Sequence, residues 1–317
     1  MTSLALHVIA SCTDRKRLPV PAALRLGNLR GTAGSDRFAA WWRALQRDGS
    51  PTRTAAELYA GDHWTVLREL PALGAKAGLE VRLWVASAGY GLVPGAAPLR
   101  SYAATFTPGH ADSVVTSGAT ARGEARDWWQ RLGREVGPDP SAPRTIAALA
   151  RAHPGGTFIV VAAPRYVAAM EADLAEALGH LRSKEKLVIV SGMPGPTTEA
   201  LRANWVPSLA ALQSVLGGAR TSLHARLARR IVDEAAERGI AATAVRERFQ
   251  NLARQAPPLP IYDRTAVEDD AVRRFVLDEL RRNPHATHTR LLRDFRASGH
   301  ACEQSRFRRI FQETPRR

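Results

Sequence analysis

Residues 8–17, VIASCTDRKR, run from an apolar stretch directly into Cys12, Thr13, Asp14, Arg15, Lys16 and Arg17. A surface turn needs only one or two Gly, Asn or Pro residues, whereas this one is built from charged and hydrogen-bonding groups. Turn amides beside Arg15, Lys16 and Arg17 suit a phosphate, and Asp14 suits work on water or beside a developing cation. A merely solvated charged loop has the same composition.

Other short stretches offer related chemistry. SAGYGLVPG (87–95) sets Gly89 and Gly91 around Tyr90, allowing close backbone approach and a ring that can stack on a base. Its spacing is not a dinucleotide fingerprint; a tight turn with a packed tyrosine is the alternative, and the neighbouring loops favour the site reading. SGMPGP (191–196) is a rigid loop of little bulk, which reads first as a plain connection and second as a functional loop with Ser191 as a candidate phosphate contact. AELYAGDHW (56–64) carries Glu57, Asp62 and His63 as acid or base candidates, with Tyr59 and Trp64 spaced to pack a core. GGARTSLHAR (217–226) reads as an anion-friendly helix start or an ordinary capped one.

Elements must bring these loops together. Four segments, 4–11, 80–87, 157–163 and 186–192, are short, β-branched-rich and bounded by turn residues, and so read as buried strands. Helical periodicity lies between them, in a segment opening at a Ser35 cap, in one or two helices over 52–78, in 122–137 ending at Gly137, and in 163–181. Strands alternating with helices predict an α/β fold with an open, mainly parallel sheet flanked by helices. Ligands in such folds collect at the carboxyl ends of the strands. SCTDRKR, SAGYGLVPG, APRY and SGMPGP each follow one of the four strands; together they predict one site on one sheet edge.

After 195 the chain reads as helical to 255, followed by a Pro-rich linker over 256–264. Residues 265–317 divide at Pro284 and Gly299 into three helices, the last rich in Arg, which predicts a basic helix-turn-helix module. Arg290, Arg293, Arg306, Arg308 and Arg309 are its candidate phosphate contacts. His285, His288, His300 and Cys302 resemble a ligand set, but the helix-turn-helix explains the segment without a metal, and true zinc spacings are tighter. No metal and no cofactor are expected.

The 317 residues carry 45 Lys and Arg against 30 Asp and Glu, a net charge of +15. Such a field attracts polyanions, and ten Arg against three acidic residues fall between 281 and 317. An interfacial membrane helix needs a larger apolar face, so nucleic acid is the expected partner, as double-stranded DNA with a flipped base, and no membrane. Two cysteines, at 12 and 302, imply no disulfide framework and point to a reducing cytoplasm. The N-terminus places its charges after its apolar stretch, the reverse of a signal peptide.

The succession SCTDRKR, AAELYAGDHW and ASAGYGLVPGAAPLRSYAATF resembles the motifs of YaaA-like domains over about residues 4–195. That group includes the base-modifying domain of archaeosine synthases and lies near uracil-DNA-glycosylase-like folds. The resemblance implies a nucleobase-handling site made of Ser11, Cys12, Lys16, Tyr59, Ser87, Tyr90, Gly91 and Tyr102. The basic position is spread over Arg15, Lys16 and Arg17, and the family's helix-hairpin-helix element is not evident.

The function expected from these features is a DNA glycosylase. Cleavage of an N-glycosidic bond needs a carboxylate beside the sugar and donors on the departing base. Asp14 is the first candidate carboxylate, with Asp62 and Asp112 as substitutes, and Tyr90 or Tyr102 is expected to stack on the base. A phage-type modification such as glycosylated cytosine, and a role in antiviral defence, follow from the resemblance alone. The alternatives are a non-catalytic sensor of modified or damaged DNA, and a tRNA or nucleobase-modifying transferase with Lys16 or Cys12 as nucleophile.

Overall fold

The computed structural model describes residues 4–29, 34–115, 120–259 and 263–315. They form two compact units, Met1–Pro258 and Leu259–Arg317.

The larger unit is built on a six-stranded sheet. Its strands are β1 (Leu4–Ser11), β2 (Leu79–Ser87), β3 (Gly91–Pro94), β4 (Thr157–Val161), β5 (Leu187–Ser191) and β6 (Trp205–Pro207), in the order β3-β2-β1-β4-β5-β6. All neighbours are parallel except β2 and β3, which form a hairpin. Leu6 to Ser11 of β1 and all of β4 after Thr157 are buried on both pleat faces, the pattern of a sheet covered on two sides. Val8 lies opposite Leu83 on one side and Ile159 on the other. The chain runs outward through β2 and β3, then returns to the other flank of β1, so strand order reverses between β1 and β4.

The covering helices are α1 (Gly34–Arg47), α2 (Asp62–Leu67), α3 (Leu70–Lys76), α4 (Ala121–Arg134), α5 (Ile146–Ala152), α6 (Pro164–His180), α7 (Leu223–Asp233) and α8 (Ala242–Gln255). α6 packs with α4 and α5, while α7 packs with α2 and α3, and both α6 and α7 reach β5. Helix α6 starts because Pro164 at its first position fixes a helical φ and lacks only an orphan N–H. It is held by its apolar face, with Tyr166, Val167, Met170 and Leu174 all buried, at roughly 1.5–3 kcal/mol per large side chain.

The four expected strands are present within two residues of their expected ends. Unexpected are β3, which lies inside SAGYGLVPG, and the three-residue β6; segments of four and three residues carry too little pattern to stand out. Segment 52–78 is broken further than expected. Thr52–Thr54 pairs with Pro98–Arg100, a single turn spans Ala55–Leu58, and α2 and α3 follow. Ser35 falls inside α1 rather than ahead of it.

The smaller unit contains α9 (Asp269–Arg282), α10 (His288–Ala297) and α11 (Gln304–Glu313) around a core that includes Val276, Leu291, Phe295, Phe307 and Ile310. Thr287 caps α10 through a bond from the Arg290 amide, Glu303 caps α11 through the Ser305 and Arg306 amides, and Gly299 leaves α10 at φ +86°. Thr265–Ala266 pairs in parallel with His300–Ala301. Linker residues 260–262 and the terminal Arg316 and Arg317 lie outside the described residues.

Residues 259–317 hold thirteen Arg but nine acidic residues, a net +4, so most of the +15 belongs to the α/β unit. No helix among the described residues is long and apolar enough to cross a membrane.

Candidate functional site

The loop after β1 is fixed by its neighbours. The Cys12 amide donates to Ala86 O at 3.0 Å, extending the ladder beyond Ser11. Residues 15–17 then run antiparallel to 58–60, with Arg17 N on Leu58 O and Ala60 N on Arg15 O, both at 2.9 Å. Thr13 Oγ1 adds a bond to Ala60 O at 3.1 Å, and Trp64 Nε1 donates to Ser11 O at 3.2 Å. Lys16 therefore sits opposite Tyr59 in a formed bridge rather than on a free turn.

Beneath it lies a buried array of hydroxyls. The Tyr102 hydroxyl is 2.9 Å from that of Tyr59 and 2.6 Å from Ser87 Oγ, and the Cys12 thiol is 3.1 Å from the Tyr166 hydroxyl. Burial holds the phenols of Tyr59, Tyr102 and Tyr166 well above their usual range, so all three stay neutral. Lys16 Nζ stands 4.4 Å from the centre of the Tyr102 ring and 5.8 Å from that of Tyr59, a cation–π setting. Its hydrogen bonds go to the carbonyls of Thr13 and Asp14, at 3.2 and 3.1 Å, and it forms no salt bridge among the described residues. Burial pushes its pKa down, against the opposing fields of Cys12, Asp14 and Asp112.

Ser11, Cys12, Lys16, Tyr59, Ser87 and Tyr102 thus converge at the carboxyl ends of β1 and β2. Asp14, Arg15 and Arg17 are exposed on the same loop. The Asp14 carboxylate forms no hydrogen bond or ion pair among the described residues, so it is open to a ligand.

Several expected roles do not survive the geometry. Tyr90 and Tyr102 are 4% and 0% exposed, and Tyr59 is 0% exposed, so none presents a face on which a base could stack. Gly89 makes room for Tyr102, whose ring would lie 2.5 Å from an added Cβ, and Gly91 lies against Leu132 and Arg144. The close backbone approach is therefore to the protein's own side chains. Ser87 accepts from the Gly89 and Tyr90 amides and shapes the turn. Asp112 is 7% exposed, and its Oδ1 receives the Gly27 amide at 2.9 Å, a structural tie.

Asp62 is drawn away to Arg226, at 2.8 Å, and to Ser222; the Ser222 bond and then Arg226 lower its pKa. That contact also corrects the GGARTSLHAR expectation, because the chain's own carboxylate binds at the start of α7, and Gly218 lies against Arg226. Ser191 is fully buried and its hydroxyl has no partner among the described residues, so it does not meet a phosphate. In the smaller unit Arg306 and Arg309 both bind Asp269, at 2.6 and 2.8 Å. Arg290 and Arg293 pair with Asp294, at 3.8 and 3.4 Å, but remain largely exposed. Arg308 is exposed and forms no ion pair among the described residues.

A cavity of about 550 Å³ opens beside this site at the ends of β4 and β5. Its walls include Phe106, Pro164, Ala168, Met193 and Pro194, with Arg122 and Arg165 among its lining. Phe106 meets the Tyr166 ring edge-on at 5.0 Å, which links the cavity to Cys12. Glu171 holds two walls together. Its Oε1 accepts from Thr197 N and Thr198 N, both at 2.6 Å, and from Thr197 Oγ1 at 2.8 Å, while Oε2 meets Arg122 at 3.2 Å. Burial raises the Glu171 pKa, but the bonds from Thr198 and Thr197 outweigh it and leave the group below its ordinary value.

APRY and SGMPGP pointed to this region, but Phe106, Arg122, Glu171 and Thr197 were not singled out. The one signal for Glu171 was a carboxylate among the buried Val167, Met170 and Leu174 positions of an apolar helix face. A further polar pair lies at the same edge. Ser208 Oγ is 2.8 Å from His224 Nδ1, and His224 faces His63, whose pKa burial pushes down to about 3. Among the described residues no three His, Cys, Asp or Glu side chains are grouped to hold a metal ion.

No family model, no curated protein and no solved structure matches the chain.

Proposed function

We propose that this chain is a DNA N-glycosylase of the cytoplasm that removes a modified base turned out of DNA. The observation that carries the reading is Lys16. This lysine is half-buried over the Tyr102 ring at the carboxyl edge of the sheet, hydrogen-bonded among the described residues only to carbonyls, and shifted toward the neutral amine. A lysine amine becomes nucleophilic when desolvated in this way. The exposed Asp14 and the cationic Arg15 and Arg17 share its loop, and the motifs resembling YaaA-like domains support a nucleobase-handling role.

In the reaction the C1′–N bond breaks with its electron pair going to the base, which takes up a proton. The Lys16 amine adds to C1′ and loses a proton, and the Asp14 carboxylate stabilises the oxocarbenium character as the base departs. The C1′–O4′ bond then opens, its electron pair and a proton going to O4′, which leaves the protonated imine that borohydride reduces and that water otherwise hydrolyses to free the amine. The cationic loop and the exposed Arg290, Arg293 and Arg308 of the smaller unit hold phosphates without reading sequence. Its natural target is phage-type DNA carrying a modified cytosine, the substrate of a defence enzyme.

The test is turnover by the parent, Asp14→Ala and Lys16→Ala proteins with borohydride present. The expected result is a covalent protein–DNA adduct from the parent and none from Lys16→Ala. Loss of activity in Asp14→Ala alone, without any adduct, assigns the attack to water. Tight, salt-sensitive binding with no turnover by the parent overturns the enzymatic reading. It would favour a non-catalytic sensor, the reading that the structural engagement of Asp62 and Asp112 supports.

A further inference from the structure

We infer that the cavity at the ends of β4 and β5 is a binding site for a nucleoside monophosphate, or a ligand of the same chemistry: one planar, weakly polar ring system and one phosphate. It goes beyond the reaction proposed for Lys16, because the cavity has its own walls and its own cations.

Its size, about 550 Å³, is that of a small-molecule site. Phe106, Pro164, Ala168, Met193 and Pro194 give it a mostly apolar body, poorly suited to a sugar rich in hydroxyls. Met193 is 67% exposed, one of three large hydrophobic side chains left so open among the described residues. An apolar surface held open to water gains most from a flat apolar partner.

The charged groups in the lining are all cationic. Arg122 is shared with Glu171, whereas Arg165 is exposed and makes no ion pair among the described residues. Arg165 also lies in the first turn of α6, a helix of 17 residues with no side-chain cap; Pro164 has no N–H and the Tyr166 and Val167 amides bind Ala163 O, so the Arg165 amide and the helix dipole are what favour an anion at the same mouth. The cavity is preformed. Gly195 lies flat against the Trp205 indole, whose atoms would be 2.6 Å from an added Cβ, and Glu171 fastens Thr197 and Thr198 to α6. A preformed site spares the ligand the cost of ordering its walls.

The experiment is calorimetric titration of the full chain with dAMP, dCMP, dGMP and dTMP, each beside its nucleoside and beside inorganic phosphate. Binding of at least one monophosphate is expected, with its nucleoside weaker by about tenfold or more for want of a charge-assisted contact. Arg165→Ala should remove that difference, and Ala168→Phe, which fills the cavity, should abolish binding while the unfolding temperature stays near that of the parent. Lys16→Ala should bind as the parent does, so failure of the proposed glycosylase leaves this result intact. No heat with any monophosphate at millimolar concentration overturns the inference, as does binding that survives Ala168→Phe.

Discussion

At the scale of single residues, the fold spends its polar groups in two ways. Some are tied down, as Asp112 is to the Gly27 amide and Asp62 to Arg226 and Ser222. Others are buried without charge. His63 has its pKa pushed down to about 3 from 6.5, and His7 to about 4, chiefly by burial, and Nε2 of each lacks a partner among the described residues. Both are neutral when folded, and the unfolded chain binds the extra protons. Stability is therefore unaffected above pH 6.5 and is lost as pH falls from there toward their folded values, by about 1.4 kcal/mol per pH unit for each group. Urea titrations between pH 7 and 4.5 should show this slope, to which the buried His224 adds in the same direction, and His63→Leu should reduce it by about 1.4 kcal/mol per pH unit; an unchanged slope would remove His63 from the account. The residue types at the site were readable in the sequence because SCTDRKR departs so far from ordinary turn composition. Their states were not, because nothing in the spacing of Asp62 or Asp112 announces a partner over 80 residues away.

Among elements, the four long strands and the loops after them were legible. Buried parallel strands are continuous apolar runs, and turn residues mark their ends. What was hidden depends on contacts between elements. Tyr90 and Gly89 looked like ligand groups because a Gly-flanked tyrosine has the same sequence whether its ring faces solvent or Tyr102. Gly89→Ala should accordingly cost about 1–3 kcal/mol through overpacking against Tyr102, measured by denaturant unfolding. An alanine that costs nothing would mean the turn is looser than its geometry.

The Glu171 clamp is a second element-scale device. Glu171→Gln removes a charged acceptor from the Thr197 and Thr198 amides and should cost about 1–3 kcal/mol. Because the Glu171 pKa is depressed on folding, its contribution is present above the ordinary glutamate range and is lost as pH falls through the lowered value. Hydrogen exchange at Thr197 and Thr198 should speed up in the variant at neutral pH. Exchange equal to that of the parent would show that Trp205 packing alone fixes the loop.

For the whole molecule, charge distribution revises the expectation drawn from the C-terminal arginines. The count over 281–317 was correct, but it left out the acidic first half of the same unit, where Asp269 alone engages two of the expected DNA contacts. With 32 basic and 21 acidic residues in 1–258, the α/β unit carries the larger net charge. Arg308→Ala should weaken DNA binding and lower its salt slope by about one phosphate contact. Arg306→Ala should instead lower the unfolding temperature of the smaller unit and change affinity less. Affinity measured across a salt series, beside thermal unfolding of both variants, separates the two effects; equal losses of affinity would return Arg306 to the interface.

The most direct measurement of the central claim incubates the full chain with plain and with heavily modified phage genomic DNA, followed by alkali and a gel. Alkali-sensitive breaks confined to the modified DNA, and absent with Lys16→Ala, are the result this account expects. Intact DNA with the parent protein, despite salt-sensitive binding to both substrates, would contradict it and leave SCTDRKR as a phosphate clamp.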